Sequence, residues 1–329
     1  MSPSELPQLP PQAKCTRCRS RALVSLPSHN ARFCEPCFQH FFQNAVQKAL
    51  KKYGPNQDTP ILVAVSGGKD SLALWAVLQD LGLHTRGIHL DLGLGEFSLA
   101  SSQAVQEFAE QRGLEYSHYS LLQEFGFSLP EIQALLPEKI CSICGRLKRQ
   151  LLNRLAAREG YSWLATGHNL DDEAARLLGN LLGDRQDFVQ RQSPGLPSPH
   201  PRIPAKIKPL YRLEIKEILA FCELQGIKPA QAGCPMSKGA TSHYFKEGLD
   251  LLEDRMPGTK RGFLYSYLRK PKELQMQEGF QKCQSCGEPA YSQPCPVCSL
   301  RKRLKELQSK KGTNPAPGRG RKRRRKKSK

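Results

Sequence analysis

The chain has 329 residues, 39% of them hydrophobic, and a formal net charge of +20. No apolar run approaches the roughly 18 residues of a helical membrane span, which excludes that role and leaves room for one α/β core with smaller modules attached. Arg319 to Lys329 supplies nine of the positive charges and leaves +11 for the rest, so the body as well as the tail is suited to a polyanion such as RNA.

The first residues, Met1-Ser-Pro-Ser-Glu-Leu-Pro, have neither the basic start nor the apolar centre of a secretory signal. The twelve cysteines are therefore expected in a reducing cytoplasm, where metal binding outranks disulfides. Cys15-x2-Cys18 and Cys34-x2-Cys37, fifteen residues apart, read as a tetrathiolate zinc site. Four sulfurs close the tetrahedron, so the site is structural and His40 is surplus. Ile61-Leu-Val-Ala64-Val65 is predicted to be a buried strand, and it empties into Ser66-Gly67-Gly68-Lys69-Asp70-Ser71. Leu72, Trp75, Leu78 and Leu81 then recur at helical spacing, which puts the turn's N–H groups at a helix N-terminus, ready for phosphate. The glycines let the backbone approach the anion and Lys69 adds a charge. A Walker A loop needs Ser or Thr directly after its lysine, where this chain has Asp70. The next strand, Thr85 to Asp91, ends in Leu92-Gly-Leu-Gly-Glu-Phe-Ser98, a loop that borders adenine or substrate, with Leu90 the candidate to read the base.

Cys141-Ser-Ile-Cys144 has no second CxxC, and its nearest companion is Cys234, between Gly233 and Pro235. Three thiolates can hold three irons of a [4Fe-4S] cluster and leave the fourth free for an external ligand. They can equally serve as a persulfide or disulfide relay; the spacing decides for neither. Gly145-Arg-Leu-Lys148-Arg149 opens a helix that sets Lys148 near these cysteines and the phosphate loop, either to neutralise phosphate charge or as an ordinary surface lysine. Ser162 to Thr166 is a second buried strand, followed by Gly167-His168-Asn169-Leu170-Asp171-Asp172-Glu173 and a helical pattern from Ala174 to Leu182. Acidic residues suit a helix start. Beside a phosphate loop, Asp70 and Asp172 are also the candidates to hold Mg2+ between phosphates, with Asp171 behind them.

Farther on, Gln192 to Pro209 is rich in proline and reads as a loop, an RNA-facing flap. Leu213 to Gly226 is helix-like with Cys222 on its core face. Tyr265 to Lys272 is either an RNA contact or a solvated helix face. Cys283-x2-Cys286 and Cys295-x2-Cys298, eight residues apart, form a second tetrathiolate set, and the arginine-lysine tail is expected to be disordered.

The zinc pair of pairs ahead of SGGKDS, then LGLGEFS, CSICGRLKR, ATGHNLDDEA, GCP and a C-terminal ribbon, together resemble the TtuA branch of the TtcA/TtuA tRNA 2-thiolation family. That family belongs to the PP-loop ATP pyrophosphatases, and the resemblance runs from about Cys15 to Cys298. It implies an α/β fold with a doubly wound, mostly parallel sheet flanked by N- and C-terminal zinc modules. The expected division is 1–52 zinc module, 53–255 PP-loop domain, 256–300 zinc ribbon and 301–329 disordered basic tail.

The implied activity is ATP-dependent: the C2 oxygen of a tRNA pyrimidine is adenylated and replaced by sulfur, with 5-methyluridine 54 the target in this branch. By resemblance, Ala64, Ser66, Gly67, Gly68, Lys69, Asp70, Ser71, Leu90, Lys148, Gly167 and Asp172 serve ATP, with Asp70, Lys148 and Asp172 catalytic. Cys141, Cys144 and Cys234 would hold the [4Fe-4S] cluster. Cys15, Cys18, Cys34 and Cys37 would hold one Zn2+, and Cys283, Cys286, Cys295 and Cys298 the other. Relatives can place a His where this chain has Cys37. The implied partners are tRNA, a thiocarboxylated ubiquitin-like sulfur carrier and a second copy of the chain, in the cytoplasm. The rival readings are thiolation of cytidine 32 or wobble uridine 34, lysidine synthesis, which needs no metal-spaced cysteines, and a non-catalytic zinc-ribbon RNA binder, which leaves SGGKDS with GHNLDDE unexplained.

Overall fold

The computed structural model describes residues 9–137, 140–230, 233–237, 239–270 and 279–312. The chain opens with a hairpin of β1 (Val24–Leu26) and β2 (Ala31–Phe33), and the long helix α1 (Glu35–Tyr53) follows directly. Cys34 is the N-cap of α1 and Pro36 lies in its first turn, where a missing N–H costs nothing. Phe38, Phe42, Val46 and Ala49 recur every three or four residues and form its buried face. Phe42 stacks on Phe221 with ring centroids 4.0 Å apart, so this helix is part of both the N-terminal module and the central core.

The centre then builds as β3 (Ile61–Ala64), α2 (Lys69–Asp80), β4 (Thr85–Asp91), α3 (Glu96–Arg112), β5 (Tyr116–Ser120), α4 (Leu121–Phe125), α5 (Leu129–Leu135), α6 (Ile140–Arg158), β6 (Trp163–Thr166), α7 (Leu170–Leu182), α8 (Gln186–Gln190), β7 (Gly195–Leu196), β8 (Ala205–Ile207) and α9 (Ile215–Leu224). The six strands lie in the order β5-β4-β3-β6-β8-β7, all parallel except the edge strand β7. From β3 the chain winds outward through β4 and β5, then crosses back to place β6 on the other side of β3. Strand order reverses there, so the connections leaving the two carboxyl ends diverge and open a crevice. Every residue of α2 from Ser71 to Leu78 is buried, because α9 and α3 cover it as well as the sheet.

The last elements are α10 (Thr241–Arg255), α11 (Thr259–Leu268), β9 (Gln281–Lys282), β10 (Pro289–Ala290) and α12 (Pro296–Gly312). Leu264 of α11 shares a core cluster with Leu170 and Leu177 of α7. The C-terminal ribbon shares another with α5 and α6: Ile132, Ile143, Leu147 and Leu151 meet Cys283, Cys295, Cys298, Leu300 and Leu304.

Four local expectations need correction. Gln192 to Pro209 contains β7 and β8, strands too short and too closely bounded by proline to show a period, yet they extend the sheet. The helix expected to open at Gly145 begins at Ile140, so Cys141 and Cys144 are on it. The helix expected from Ala174 begins at Leu170, capped by Asn169. The tail expected from residue 301 starts as helix, because Leu300 and Leu304, one turn apart, bury against the α5/α6 cluster. The basic run Arg319 to Lys329 lies outside the described residues, as do residues 271 and 272 of the Tyr265 to Lys272 stretch.

Candidate functional site

The loop after β3 is folded around one hydroxyl. Ser71 Oγ accepts from the Ser66 amide at 3.0 Å, donates to the Gly68 carbonyl at 2.9 Å and lies 3.2 Å from Ser66 Oγ. Gly67 has φ +78°, and a Cβ there would stand 2.4 Å from the Ser101 carbonyl oxygen; both the conformation and the space require glycine. Beneath the loop, the buried His89 of β4 donates from Nδ1 to the Val65 carbonyl at 2.8 Å, which leaves Nε2 to accept from Ser102 Oγ at 3.1 Å. Burial lowers the His89 pKa, so the ring stays neutral and in this tautomer.

The loop after β6 faces the first one closely. A Cβ on Gly167 would lie 2.9 Å from the backbone carbon and oxygen of Asp70. Asn169 joins the two motifs: its Nδ2 donates to Asp70 Oδ1 at 2.9 Å while its Oδ1 caps the Asp172 amide at 2.9 Å. Asp172 returns the bond to the Asn169 amide, completing a capping box. The other Asp70 oxygen accepts from Lys69 Nζ at 2.9 Å. Asp172 also carries an ion pair from Lys246 of α10. Burial alone would raise the Asp172 carboxyl, but the Lys246 ammonium outweighs it and holds the group below its ordinary value. The crevice thus contains two half-buried carboxylates on one asparagine, above a helix N-terminus, a fit for the phosphate–metal side of a nucleotide.

Asp171 does not stand behind that pair. It is buried and turned away, accepting from the Ile215 amide at 2.8 Å and from Lys260 Nζ, so it anchors the starts of α9 and α11. Cys222 is in the core, its thiol pushed up to about 12 by burial.

Cys141 and Cys144 on the first turns of α6 meet the 3-10 turn Pro235–Ser237 that follows Cys234: Cys141 Sγ donates to the Met236 carbonyl at 3.4 Å. Cys144 and Cys234 are half-buried and pack, with Leu90, Leu92, Phe97 and Met236, against the α5/α6 cluster, whereas Cys141 is exposed. Leu90 and Leu92 lie at the carboxyl end of β4, so the three sulfurs are at the same end of the sheet as the phosphate loop. Burial raises the Cys144 thiol, and the charge that most opposes this is Lys148, one turn farther along α6 and exposed to solvent. Three thiols on an apolar ledge with one side open fit a cluster that keeps an accessible iron. Leu90 belongs to this ledge.

Among the described residues, two groups have all their ligand atoms within 4.8 Å of one another: Cys15, Cys18, Cys34 and Cys37, and Cys283, Cys286, Cys295 and Cys298. That spacing suits one tetrahedral ion. Backbone and side-chain N–H groups already aim at the sulfurs: Cys283 Sγ accepts from the Cys295 amide at 3.3 Å, and Cys295 Sγ from the Cys298 amide and from Gln150 Nε2 of α6, each at 3.4 Å. The Cys295 amide helps pull Cys283 down to about 6, while burial and the neighbouring sulfurs push Cys298 up.

The structure therefore gathers Ala64, Ser66 to Ser71, Gly167 and Asp172 at the crevice between β3 and β6, and Cys141, Cys144, Cys234, Lys148 and Leu90 beside it. Sequence reasoning missed three supporting groups. Asn169 was inside a motif already noted, and His89 was a polar residue in a buried strand. Lys246 is 74 residues from its partner and has no local signal.

A family model described as a PP-loop domain matches residues 39–231, and one described as the N-terminal LIM domain of 2-thiouridine synthetase TtuA matches residues 14–39. The chain is 39% identical to the tRNA-5-methyluridine(54) 2-sulfurtransferase of Thermus thermophilus, over 87% of this chain and 90% of that one. It is 36% identical to the Thermotoga maritima protein of the same name, over 90% and 99%. Among solved structures it is similar to the U34-tRNA thiolase NcsA from Methanococcus maripaludis with its [4Fe-4S] cluster, with a TM-score of 0.75 and 27% identity over 88% of this chain and 96% of that one.

Proposed function

The chain belongs to the TtuA branch of the PP-loop tRNA 2-thiolation family, and from that premise we propose that it activates the C2 oxygen of a tRNA uridine with ATP and exchanges it for sulfur, 5-methyluridine 54 being the target. The observation that carries this reading is the close approach of SGGKDS to GHNLDD across the strand-order reversal, with three spare cysteines at the same end of the sheet.

A uracil carbonyl oxygen is a poor leaving group, so the enzyme first makes it a good one. The amides between Gly67 and Ser71 receive the ATP phosphates, and the C2 oxygen attacks the α-phosphorus, releasing pyrophosphate. Lys69 and Lys148 neutralise the charge that departs. Asp70 and Asp172 are the residues that would hold Mg2+ on the phosphates. Hydrosulfide then adds at C2, and AMP leaves with the former C2 oxygen. A [4Fe-4S] cluster held by Cys141, Cys144 and Cys234 would supply an iron site open to external sulfur. Each four-cysteine group is the seat of a structural Zn2+, with no position left for catalysis.

The sulfur source in this reading is a thiocarboxylated ubiquitin-like carrier protein, and the working unit is a cytoplasmic homodimer. No helix of the described residues is long and apolar enough to cross a membrane. A second target, wobble uridine 34, is favoured by the likeness to the U34-tRNA thiolase. Nucleoside mass spectrometry of tRNA from cells lacking the protein, rescued by the intact gene or by Cys141→Ala, separates the two. Loss of 2-thio-5-methyluridine restored by the intact gene alone supports position 54. Loss of a thiolated wobble uridine moves the target, and an unchanged thionucleoside profile removes the reading.

A further inference from the structure

α1, the turn before α9 and α11 border a cavity of about 290 Å³. His29, Asn44, Lys48, Arg212, Arg261 and Tyr265 supply its polar lining, and no carboxylate lines it. Arg261 is the neutralised member of this set: it pairs with Glu214 at 3.2 Å and approaches Glu217 at 3.9 Å, and both acids are buried behind it. Lys48 and Arg212 differ. Among the described residues neither has a carboxylate within 4.0 Å, Lys48 is exposed, and the Arg212 guanidinium lies 4.9 Å from the centre of the Tyr265 ring.

Two cations without a carboxylate partner, an amide and a tyrosine around a concavity whose lining has no acid suit an anionic ligand such as a phosphodiester. The planar Arg212 guanidinium, its face against Tyr265, suits paired phosphate oxygens, and Lys48 adds a point charge beside it. The cavity is also tied to the active crevice. Lys260, the residue before Arg261, forms its ion pair with Asp171, the residue before Asp172. Resting on the tRNA-thiolation reading above, we propose that this cavity is a second anchoring point for the tRNA substrate, in which Lys48 and Arg212 grip a backbone phosphodiester away from the reacting uridine.

Direct binding of an unmodified tRNA transcript, followed by fluorescence anisotropy across a salt series, tests this for the full chain with its metals. Lys48→Ala puts the best helix former at an exposed helix position and should not disturb folding. Together Lys48→Ala and Arg212→Ala should weaken tRNA binding by about tenfold at moderate salt. Each should also flatten the slope of log affinity against log salt by about 0.7–0.9. Lys51→Ala, which removes an equal charge from the same helix outside the cavity, should change affinity less. Steady-state thiolation should show the loss in KM for tRNA and leave kcat nearly unchanged. An unchanged affinity and slope for Lys48→Ala, with the intact protein binding tRNA normally, overturns the anchoring point alone. Failure of the intact protein to bind tRNA overturns the thiolation reading instead.

Discussion

Gly167 lacks a side chain because of what faces it: an added Cβ would meet the Asp70 backbone at 2.9 Å and the Ser71 amide nitrogen at 3.0 Å. Neither neighbour is a flexible side-chain tip, so Gly167→Ala must push the two motifs apart. It should cost about 1–3 kcal/mol of stability in urea titration and slow tRNA-dependent AMP formation by roughly a hundredfold through misplacement alone. Lys246 sets a charge where Gly167 sets a distance. With Lys246→Met, burial is left without its main opponent, so the Asp172 carboxyl rises, and the acid limb of the kcat/KM profile should move to higher pH. An unmoved limb would mean that Lys246 does not govern this carboxylate. The two motifs were legible in sequence because a glycine turn between a buried strand and a helix is a local pattern. Lys246 was not, since an ion pair across 74 residues leaves no periodicity to read.

At the level of elements, α6 connects three things that sequence order keeps apart. Its first turns carry Cys141 and Cys144, Lys148 follows, and Gln150 donates to Cys295 of the C-terminal ribbon. Arg301 of α12 reinforces the union, donating to the Phe125 carbonyl at 3.0 Å and lying over the Phe125 ring. Removing one ribbon ligand should therefore be felt at the other metal-binding cysteines. Cys295→Ala is expected to reduce zinc from about two to about one per chain by elemental analysis. Iron after anaerobic reconstitution should fall as well, because the ledge under Cys144 and Cys234 shares its core with the ribbon. Full iron with half the zinc would make the ribbon an independent appendage. The cysteine groups could be read from spacing, since a CxxC chelate is local. The helix that joins them could not, because the basic composition after residue 300 hid the one-turn repeat of Leu300 and Leu304, and β7 and β8 were too short to show an alternation.

For the whole molecule, stability has a pH-sensitive seam where the N-terminal module, α9 and α11 meet. His29 lies 2.8 Å from Glu217, and Arg261 lies between that pair and Glu214. Burial, reinforced by Glu217, raises Glu214 to about 7 from its ordinary 4.5. A carboxyl raised in the folded state favours folding while it is protonated, and that contribution is lost as pH climbs from about 4.5 through about 7. Glu214→Gln should thus gain melting temperature relative to the parent across that interval, with the difference level above it; a constant difference would assign the shift elsewhere. The seam matters because α1 does not stop at the module's edge. Its 19 residues make a rod of about 28 Å, begun beside Cys34 and Cys37 of the first four-cysteine group and ended at Tyr53, whose Cβ lies 2.6 Å from where a Cβ on Gly195 would stand. A protease cut or an engineered truncation near residue 52 would take away a wall of the enzyme's interior along with its N-terminal attachment. One helix is thus both the floor of the four-cysteine module and a wall of the ATP-binding centre, so neither can be redesigned without the other.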